Sequence, residues 1–210
     1  MKYGMLAIIL VIGLSSLKKP VPASDWVSLF DGKSLNGWKV GNNAETFSIE
    51  NGTISVHGKT AHLYYVGDYH QHNFKNFEFK AQVMTRKGAN SGLYFHSEYQ
   101  ESGWPAKGYE VQVNNSQGDW RRTGSLYGVV DVKEGVKDDE WFTEYIKVVG
   151  KHVTIKVNDK TTVEYDEPAN PEHLKEWPGR LISSGTFAIQ GHDPGSQVYY
   201  KDIMAKVLPD

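Results

Sequence analysis

Three polar side chains, Glu110, Gln112 and Asn114, alternate with apolar residues in the segment YEVQVNN. Successive side chains of a β-strand point to opposite faces, so these three would lie on one face with neighbours about 6.7 Å apart. A carboxylate can exchange a proton, and planar amides beside it can hydrogen-bond hydroxyl groups in defined directions. The row is therefore a candidate for the floor of a catalytic site.

Three further segments present similar polar faces once their apolar residues are assigned to a core. None of these faces carries Lys or Arg, whereas segments in the 145–165 region show the Lys, Thr and Glu mixture typical of a water-facing sheet. If the four strands share one sheet, their faces would form a groove, and a solvated polar face is the alternative. The residues are Tyr94, His96 and Glu98 in GLYFHSE, Ser125 and Tyr127 in SLYG, and Gln190 and His192 in TFAIQGHD.

These residues divide into candidate catalytic and binding groups. Glu110 is the favoured base, with the alternative that it is a surface carboxylate paired with Arg121 or Arg122. His96 and His192 are further candidates for the base or the acid. The candidate substrate-binding groups are Asn90, Tyr94, Gln112, Asn114, Ser125, Tyr127 and Gln190, with Trp104 and Trp120 as stacking platforms or, alternatively, caps of the core.

The hydrophobic pattern that must position these groups has a period of two almost throughout. FEFKAQVMT and HVTIKVN alternate strictly, and Gly, Asn and Asp supply turns in ENGT and VNDK. Only EPANPEHLKEW, ending at Trp177, looks helical, and it is short. The pattern predicts an all-β fold, a sandwich of two antiparallel sheets, in a single domain over residues 24–210.

The first 23 residues have the features of an export signal. A short basic start precedes the apolar run MLAIILVIGLSSL, and VPAS offers a cleavage point after Ala23. The run is too short for a comfortable membrane span, so we expect a cleaved signal and a periplasmic or extracellular protein with no stable span after signal removal. A retained N-terminal anchor is the alternative. The chain has no Cys, which excludes disulfides and thiolate sites, and its net charge of −2 does not suggest a nucleic-acid partner.

Several motifs in a fixed order resemble one known family. WVSLFDGKSLNGWK, FKNFEFKAQV, NSGLYFH, GYEVQV, TGSLYG and FAIQGHDPGSQVYYKDI together resemble the 3-keto-disaccharide hydrolase domain family over about residues 25–207. The resemblance implies a concanavalin A-like jelly roll of two curved sheets with a ligand groove on the concave face. It also implies an exported, sugar-active enzyme that cleaves the glycosidic bond of sugars oxidised at C3, with a carbohydrate substrate as its partner.

The number of carboxylates on the central row bears on the mechanism. An ordinary glycosidase flanks the scissile bond with two carboxylates, about 5–5.5 Å apart if retaining and about 6.5–9.5 Å if inverting. The row supplies only Glu110, although Glu98, Asp131 or Asp193 could provide a second. A ketone at C3 acidifies the C2 hydrogen, so one base, groups that polarise the carbonyl, and an acid for the leaving group would suffice.

The cofactor and the function class stay open at this level. His70 and His72 would share one face of a strand with Asp68, and together they could hold a divalent metal ion. A solvated loop fits this segment better, and we predict no metal site. We predict a hydrolase or lyase acting on 3-keto-glycosides. A non-catalytic carbohydrate-binding module or lectin is the alternative, and a structural or partner-binding sandwich is a third.

Overall fold

The computed structural model describes residues 25–210, which form two antiparallel β-sheets with one apolar core between them. The strands are β1 (Val27–Ser28), β2 (Trp38–Val40), β3 (Phe47–Glu50), β4 (Thr53–Val56), β5 (Ala61–Tyr65), β6 (Phe77–Thr85), β7 (Asn90–Ser97), β8 (Tyr109–Asn114), β9 (Phe142–Val149), β10 (His152–Val157), β11 (Lys160–Asp166), β12 (Thr186–Gly191) and β13 (Val198–Val207).

One sheet has eight strands, in the order β11-β10-β9-β6-β13-β4-β3, with β1 also paired to β13. The other has five strands, in the order β2-β5-β12-β7-β8. The expected all-β sandwich of two antiparallel sheets is therefore confirmed. In the five-stranded sheet β7 lies between β12 and β8, which places three of the four predicted polar faces side by side.

Two tight hairpins form where the sequence predicts turns. Asn51 and Gly52 connect β3 to β4 with φ of 48° and 78°, and Asn158 and Asp159 connect β10 to β11 with φ of 48° and 64°. Positive φ at both central residues is the geometry of a type I′ turn, and it suits the right-handed twist of the two strands. Asn, Asp and Gly tolerate that geometry, so these short loops fix the register of both hairpins.

Phe187 on β12 lies at the centre of an aromatic cluster in the core. Its ring centroid is 4.5 Å from that of Phe74, 4.9 Å from that of Phe77 and 4.6 Å from that of Phe79. Phe77 and Phe79 belong to β6 of the eight-stranded sheet, so these contacts join the two sheets directly beneath the strands that carry the polar faces. Aromatic pairs at this spacing add to the free energy gained from burial.

Two segments differ from the strand and helix predictions. SLYGVV forms only isolated bridges, in which Leu126 pairs with Val111 and Val130, because tight turns reverse the chain after Leu126. Within the segment ending at Trp177, only Glu172–Lys175 is helical, and it is a 3-10 turn. Among residues 25–210, no helix has both the length and the apolar character to cross a membrane.

Glu144 is an acidic residue on the inward face of β9, and its side chain is fully buried. Neither carboxyl oxygen has a well-formed hydrogen bond. Burial raises the pKa of Glu144 well above the usual range, and the nearby N–H of Gly124 opposes this shift only in part. Burial therefore favours the protonated form of the Glu144 carboxyl in the folded protein.

We predict that Phe187→Ala destabilises the fold by about 3–5 kcal/mol, since it removes the ring that joins the two sheets and leaves a cavity. Chemical denaturation followed by tryptophan fluorescence measures the free energy of unfolding. Val149→Ala, at a position that is 42% exposed, is the control and should cost no more than about 0.5 kcal/mol. Equal losses in the two variants would contradict the central place of Phe187 in the core.

We predict that Glu144→Gln becomes progressively more stable than the wild type as pH rises. A folded-state pKa above the unfolded value of about 4.3 makes the wild type lose stability as pH increases from there, by up to about 1.4 kcal/mol per pH unit. Thermal denaturation between pH 4 and pH 8 measures this difference. Glu134→Gln, at an exposed position, is the control and should show no trend. A pH-independent difference between wild type and Glu144→Gln would show that the buried carboxyl titrates normally.

Candidate active site

A cavity of about 300 Å³ lies on the outer face of the five-stranded sheet, over strands β12, β7 and β8. The inward side chains of these strands fill the core, and the outward ones form the cavity floor. Loops around 104, 119 and 177–180 form its walls. The lining residues are Asn90, Tyr94, Trp104, Pro105, Glu110, Gln112, Asp119, Tyr127, Trp177, Arg180, Gln190 and His192.

Glu110 is the buried carboxylate at the centre of the floor, with only 6% of its surface exposed. The Tyr94 hydroxyl donates to its Oε2 at 2.8 Å, and the Gln190 side-chain amide donates to its Oε1 at 2.8 Å. Arg180 Nη2 lies 3.6 Å from Oε2. The carboxylate is thus held in one orientation by groups from β7, β12 and a wall loop.

Gly92 provides the space that the Glu110 side chain occupies. The residue lies on β7 opposite Gln112 and next to the Tyr94–Glu110 pair in the β7–β8 register. A Cβ atom at position 92 would lie 2.7 Å from Glu110 Oε1, closer than real Cβ contacts allow. Only glycine lets the carboxylate fold down onto the sheet, so the glycine of the motif NSGLYF is part of the site.

Burial raises the pKa of Glu110, because a charged carboxylate loses its hydration in this position. The positive charge of Arg180 and the hydrogen bonds from Tyr94 and Gln190 lower the pKa and partly offset that effect. A carboxyl group with a raised pKa takes up a proton more readily than an exposed one. Glu110 therefore has the environment expected of a general base.

Three amide side chains on the floor have polar atoms without a hydrogen-bond partner in the protein. They are both side-chain polar atoms of Gln112, the Oδ1 of Asn90 and the Oε1 of Gln190, and all three residues are at least 96% buried. A buried polar atom without a partner costs about 1–3 kcal/mol. A ligand with several hydroxyl or carbonyl groups would satisfy them, as a sugar does.

His192 follows β12 and lines the cavity wall. Its Nδ1 is 2.6 Å from Asp193 Oδ2, an oxygen that also accepts a hydrogen bond from the Ser196 hydroxyl at 2.9 Å. A carboxylate at Nδ1 fixes the imidazole so that Nδ1 carries the proton and Nε2 is the nitrogen free to exchange one. This arrangement suits a histidine that donates or accepts protons in the cavity.

The wall segment that carries Trp177 and Arg180 is anchored at Glu167. The Glu167 carboxylate accepts hydrogen bonds from the Tyr109 hydroxyl and from the Ile182 backbone N–H, both at 2.6 Å. His173 Nε2 lies 2.9 Å from the Arg180 carbonyl oxygen, the position of a hydrogen-bond donor. These contacts fix the backbone before and after Arg180, and thus its side chain beside Glu110.

The structure brings most of the predicted site residues together. In the cavity lie Glu110, His192, Asn90, Tyr94, Gln112, Tyr127, Gln190 and Trp104. Four other candidates lie outside its lining. Asn114 donates to the carbonyls of Asp119 and Arg121, and Ser125 donates to that of Arg122, so both shape loops. Trp120 is 49% exposed on the surface.

His96 is the fourth candidate outside the cavity, and its predicted face is corrected. A left-handed backbone with φ of 55° interrupts the alternation of β7 at this residue. The fully buried ring packs against Phe77 and Phe95, and its nitrogens lie 2.9 Å from the Lys75 carbonyl and 3.2 Å from the Ser183 N–H. Burial lowers the pKa of His96 to about 4, so this histidine is a neutral structural residue.

Sequence reasoning missed four wall residues, Pro105, Asp119, Trp177 and Arg180. All four lie in irregular loops, where no periodicity shows which way a side chain points. Arg180 is the most important of them, because it takes the position beside Glu110 for which Arg121 and Arg122 were the alternatives. The remaining signal was the pair Trp177 and Arg180, three residues apart in the segment that follows β11.

The other candidate carboxylates and the histidine motif lie apart from the cavity lining. Glu98 is exposed and pairs with Lys107, and Asp131 pairs with Arg121. His70 and His72 lie in the exposed 3-10 turn Tyr69–His72. Across residues 25–210, no group of three or more potential ligands is arranged to hold a metal ion.

Comparisons with known proteins agree with this architecture. The chain is 27% identical to a 3-keto-disaccharide hydrolase of Bacteroides thetaiotaomicron, over 93% of this chain and 82% of that protein. A candidate glycosyl hydrolase of Parabacteroides distasonis has a similar structure, with a TM-score of 0.73 and 23% identity over 88% of this chain and 94% of that one.

Sugar-binding proteins share the fold at lower similarity. The carbohydrate-binding module CBM66 from Bacillus subtilis superposes with a TM-score of 0.58 and 12% identity, over 81% of this chain and 95% of that one. This likeness concerns the fold alone. The model of the 3-keto-alpha-glucoside-1,2-lyase-like domain matches residues 25–206, so the chain belongs to that family.

Proposed function

We propose that this protein is a carbohydrate-active enzyme that cleaves the glycosidic bond of 3-keto-glycosides, with Glu110 as the base. One observation carries the proposal: a single buried carboxylate with a raised pKa lies on a floor of amides, beside an arginine and an oriented histidine. The family model and the name of the curated relative support the same substrate class.

The first step is removal of the C2 hydrogen. The C3 ketone makes this hydrogen acidic, and the Glu110 carboxylate takes it as a proton while the C2–H electrons move into an enolate. Arg180 and the unpartnered Nε2 of Gln112 supply donors for the negative charge that develops on the C3 oxygen. Tyr94 and Gln190 hold Glu110 in place during the transfer.

The second step breaks the C1–O bond. The enolate electrons form a C1–C2 double bond as the C1–O bond breaks, and the imidazolium form of His192 gives its Nε2 proton to the departing oxygen. Asp193 accepts a hydrogen bond from Nδ1–H and so leaves Nε2 as the nitrogen that gives and takes the proton. Water then adds across the double bond: its hydroxyl bonds to C1, its remaining proton goes to His192 Nε2, and Glu110 returns its proton to C2. Both groups recover their starting forms, and the sum of the steps is hydrolysis of the glycoside.

Asp119 is a second carboxylate in the cavity lining, so the paired-carboxylate mechanism of ordinary glycosidases must be weighed. Its Oδ2 accepts a hydrogen bond from the Tyr127 hydroxyl at 3.0 Å, and its Oδ1 accepts one from the backbone N–H of Arg121 at 2.9 Å. The Arg121 guanidinium also lies 3.5 Å from Oδ1. These donors occupy the carboxylate, and this favours a structural role for Asp119.

A non-catalytic sugar-binding domain is the second candidate. The likeness in fold to a carbohydrate-binding module and the unpartnered amides favour it, because both are compatible with binding alone. Burial of a carboxylate beside Arg180 and an Asp-oriented histidine is not needed for binding, and this favours the enzyme.

We also propose that the enzyme is exported, on the basis of residues 1–23, which lie outside the described part of the chain.

We predict that the purified protein cleaves 3-keto-glucosides and leaves their unoxidised parents intact, and that Glu110→Gln lowers kcat at least about 100-fold. The substitution removes the base but keeps the size of the side chain, so sugar binding should persist. Product formation is followed by chromatography with and without a chelator, and binding by calorimetry.

Glu101→Gln is the control, since Glu101 is exposed and outside the cavity lining, and it should retain wild-type turnover. Cleavage of the unoxidised parents at a similar rate would instead favour a paired-carboxylate glycosidase. Binding of sugars by the wild type without turnover of any keto substrate would identify a binding domain.

We predict that Arg180→Met moves the acid limb of the kcat/KM profile to higher pH. Glu110 acts as a carboxylate, so activity falls as pH drops through its pKa, and the charge of Arg180 lowers that pKa. Removing the charge raises the pKa of Glu110 further. Initial rates between pH 4 and pH 9 measure the limb. The control is Arg86→Met, which changes an exposed arginine paired with Asp139 and should leave the acid limb in place. An acid limb that does not move in Arg180→Met would show that the charge of Arg180 does not affect the titration of Glu110.

A further inference from the structure

Two tryptophans near the site are equally exposed but differ in their position. Trp104 and Trp120 each have 49% of their surface accessible. Trp104 lines the cavity, whereas Trp120 lies outside the lining and packs on the Arg121 guanidinium at 4.9 Å. A half-exposed indole at a cavity mouth is unusual, because burying its apolar face would be favourable.

The Trp104 indole is held in place despite its exposure. Its ring centroid lies 5.5 Å from that of His62 and 5.5 Å from that of His192. The Gln100 side chain fixes the loop, since its Nε2 donates to the Trp104 carbonyl at 2.8 Å and its Oε1 accepts from the Ala106 N–H at 2.9 Å. A surface fixed in advance loses little entropy when a ring stacks on it.

The identity of the acid determines the side on which the leaving group lies. A general acid must reach the glycosidic oxygen by a hydrogen bond, so the leaving group and the acid are neighbours in the bound complex. In the proposed mechanism that acid is His192, whose ring contacts Trp104. Trp177 packs instead on Arg180, at 4.3 Å. The leaving group therefore emerges beside Trp104.

The size of the cavity leads to the same position. At about 300 Å³ it is at the lower end of the range for ligand pockets, enough for the keto sugar ring. A leaving group beside His192 then lies at the mouth, where Trp104 has the most exposed of the aromatic faces that line the cavity. Aromatic side chains bind the apolar face of a sugar or aromatic ring by stacking.

We propose that Trp104 is the platform for the leaving group, and that the site selects 3-keto-glycosides whose leaving group presents an apolar ring face. This inference rests on the proposed function and adds the position and chemical class of the leaving group. A second sugar ring and an aromatic ring share that chemistry, and the experiment distinguishes them.

The test compares three substrates with the full-length mature protein: methyl 3-keto-glucoside, phenyl 3-keto-glucoside and a 3-keto-diglucoside. For each, kcat/KM is measured for the wild type, Trp104→Ala and Trp120→Ala, and expressed as the ratio of variant to wild type. The ratio cancels the different leaving abilities of the three groups. Thermal denaturation confirms that both variants fold.

For Trp104→Ala, the ratio should be about 5- to 10-fold lower for a substrate with a ring than for the methyl substrate, as expected for the loss of one ring contact. A selective loss of kcat/KM for the diglucoside assigns a sugar as the leaving group. A selective loss for the phenyl substrate assigns an aromatic ring instead. Trp120→Ala should give the same ratio for all three substrates.

Equal losses on all substrates in Trp104→Ala, or a ring-selective loss in Trp120→Ala, would overturn the inference while leaving the proposed function intact. No turnover of any substrate by the wild type would contradict the proposed function, and the inference with it.

Discussion

The burial of one carboxylate, that of Glu110, is the constraint on which the site depends. A charged group on a sheet and under loops loses its hydration, so the fold must supply compensating contacts. It does so with a hydroxyl from β7, an amide from β12 and an arginine from a wall loop. The absence of a side chain at Gly92 makes the position possible. The surroundings hold Glu110 in a fixed orientation with a raised pKa.

The sandwich and the wall loops have separate tasks in this arrangement. The aromatic core around Phe187 joins the sheets and fixes the relative positions of β12, β7 and β8. The loops then add the groups that a flat sheet cannot provide, among them Arg180 and Trp104. Glu167 connects the sheet to the wall, because its carboxylate accepts hydrogen bonds from Tyr109 of β8 and from the backbone N–H of Ile182 in the wall segment. The geometry beside Glu110 thus depends on contacts on the far side of the wall.

The strands and the site floor could be predicted from the sequence because a period of two reports both the strand and the direction of each side chain. This is how Glu110, Gln112 and Gln190 were found. The same rule failed at His96, where one residue with positive φ turns the ring into the core. It gave nothing for Arg180 and Asp119, whose loops have no period, and it gave no sign that Glu144 is buried without a partner. Long-range contacts decide those positions.

The central claim is that Glu110 removes a proton from C2, and deuterium incorporation tests it most directly. A 3-keto-glucoside is cleaved by the wild-type enzyme in heavy water, and the released 3-keto sugar is examined by NMR, with a sample without enzyme to correct for spontaneous exchange. Elimination followed by addition of water predicts a product that carries deuterium at C2, because the proton on Glu110 exchanges with solvent when the leaving group departs and water enters. A product that retains its original hydrogen at C2, with no slowing of turnover when C2 of the substrate carries deuterium, would show that the C1–O bond breaks without proton removal, and would contradict the account.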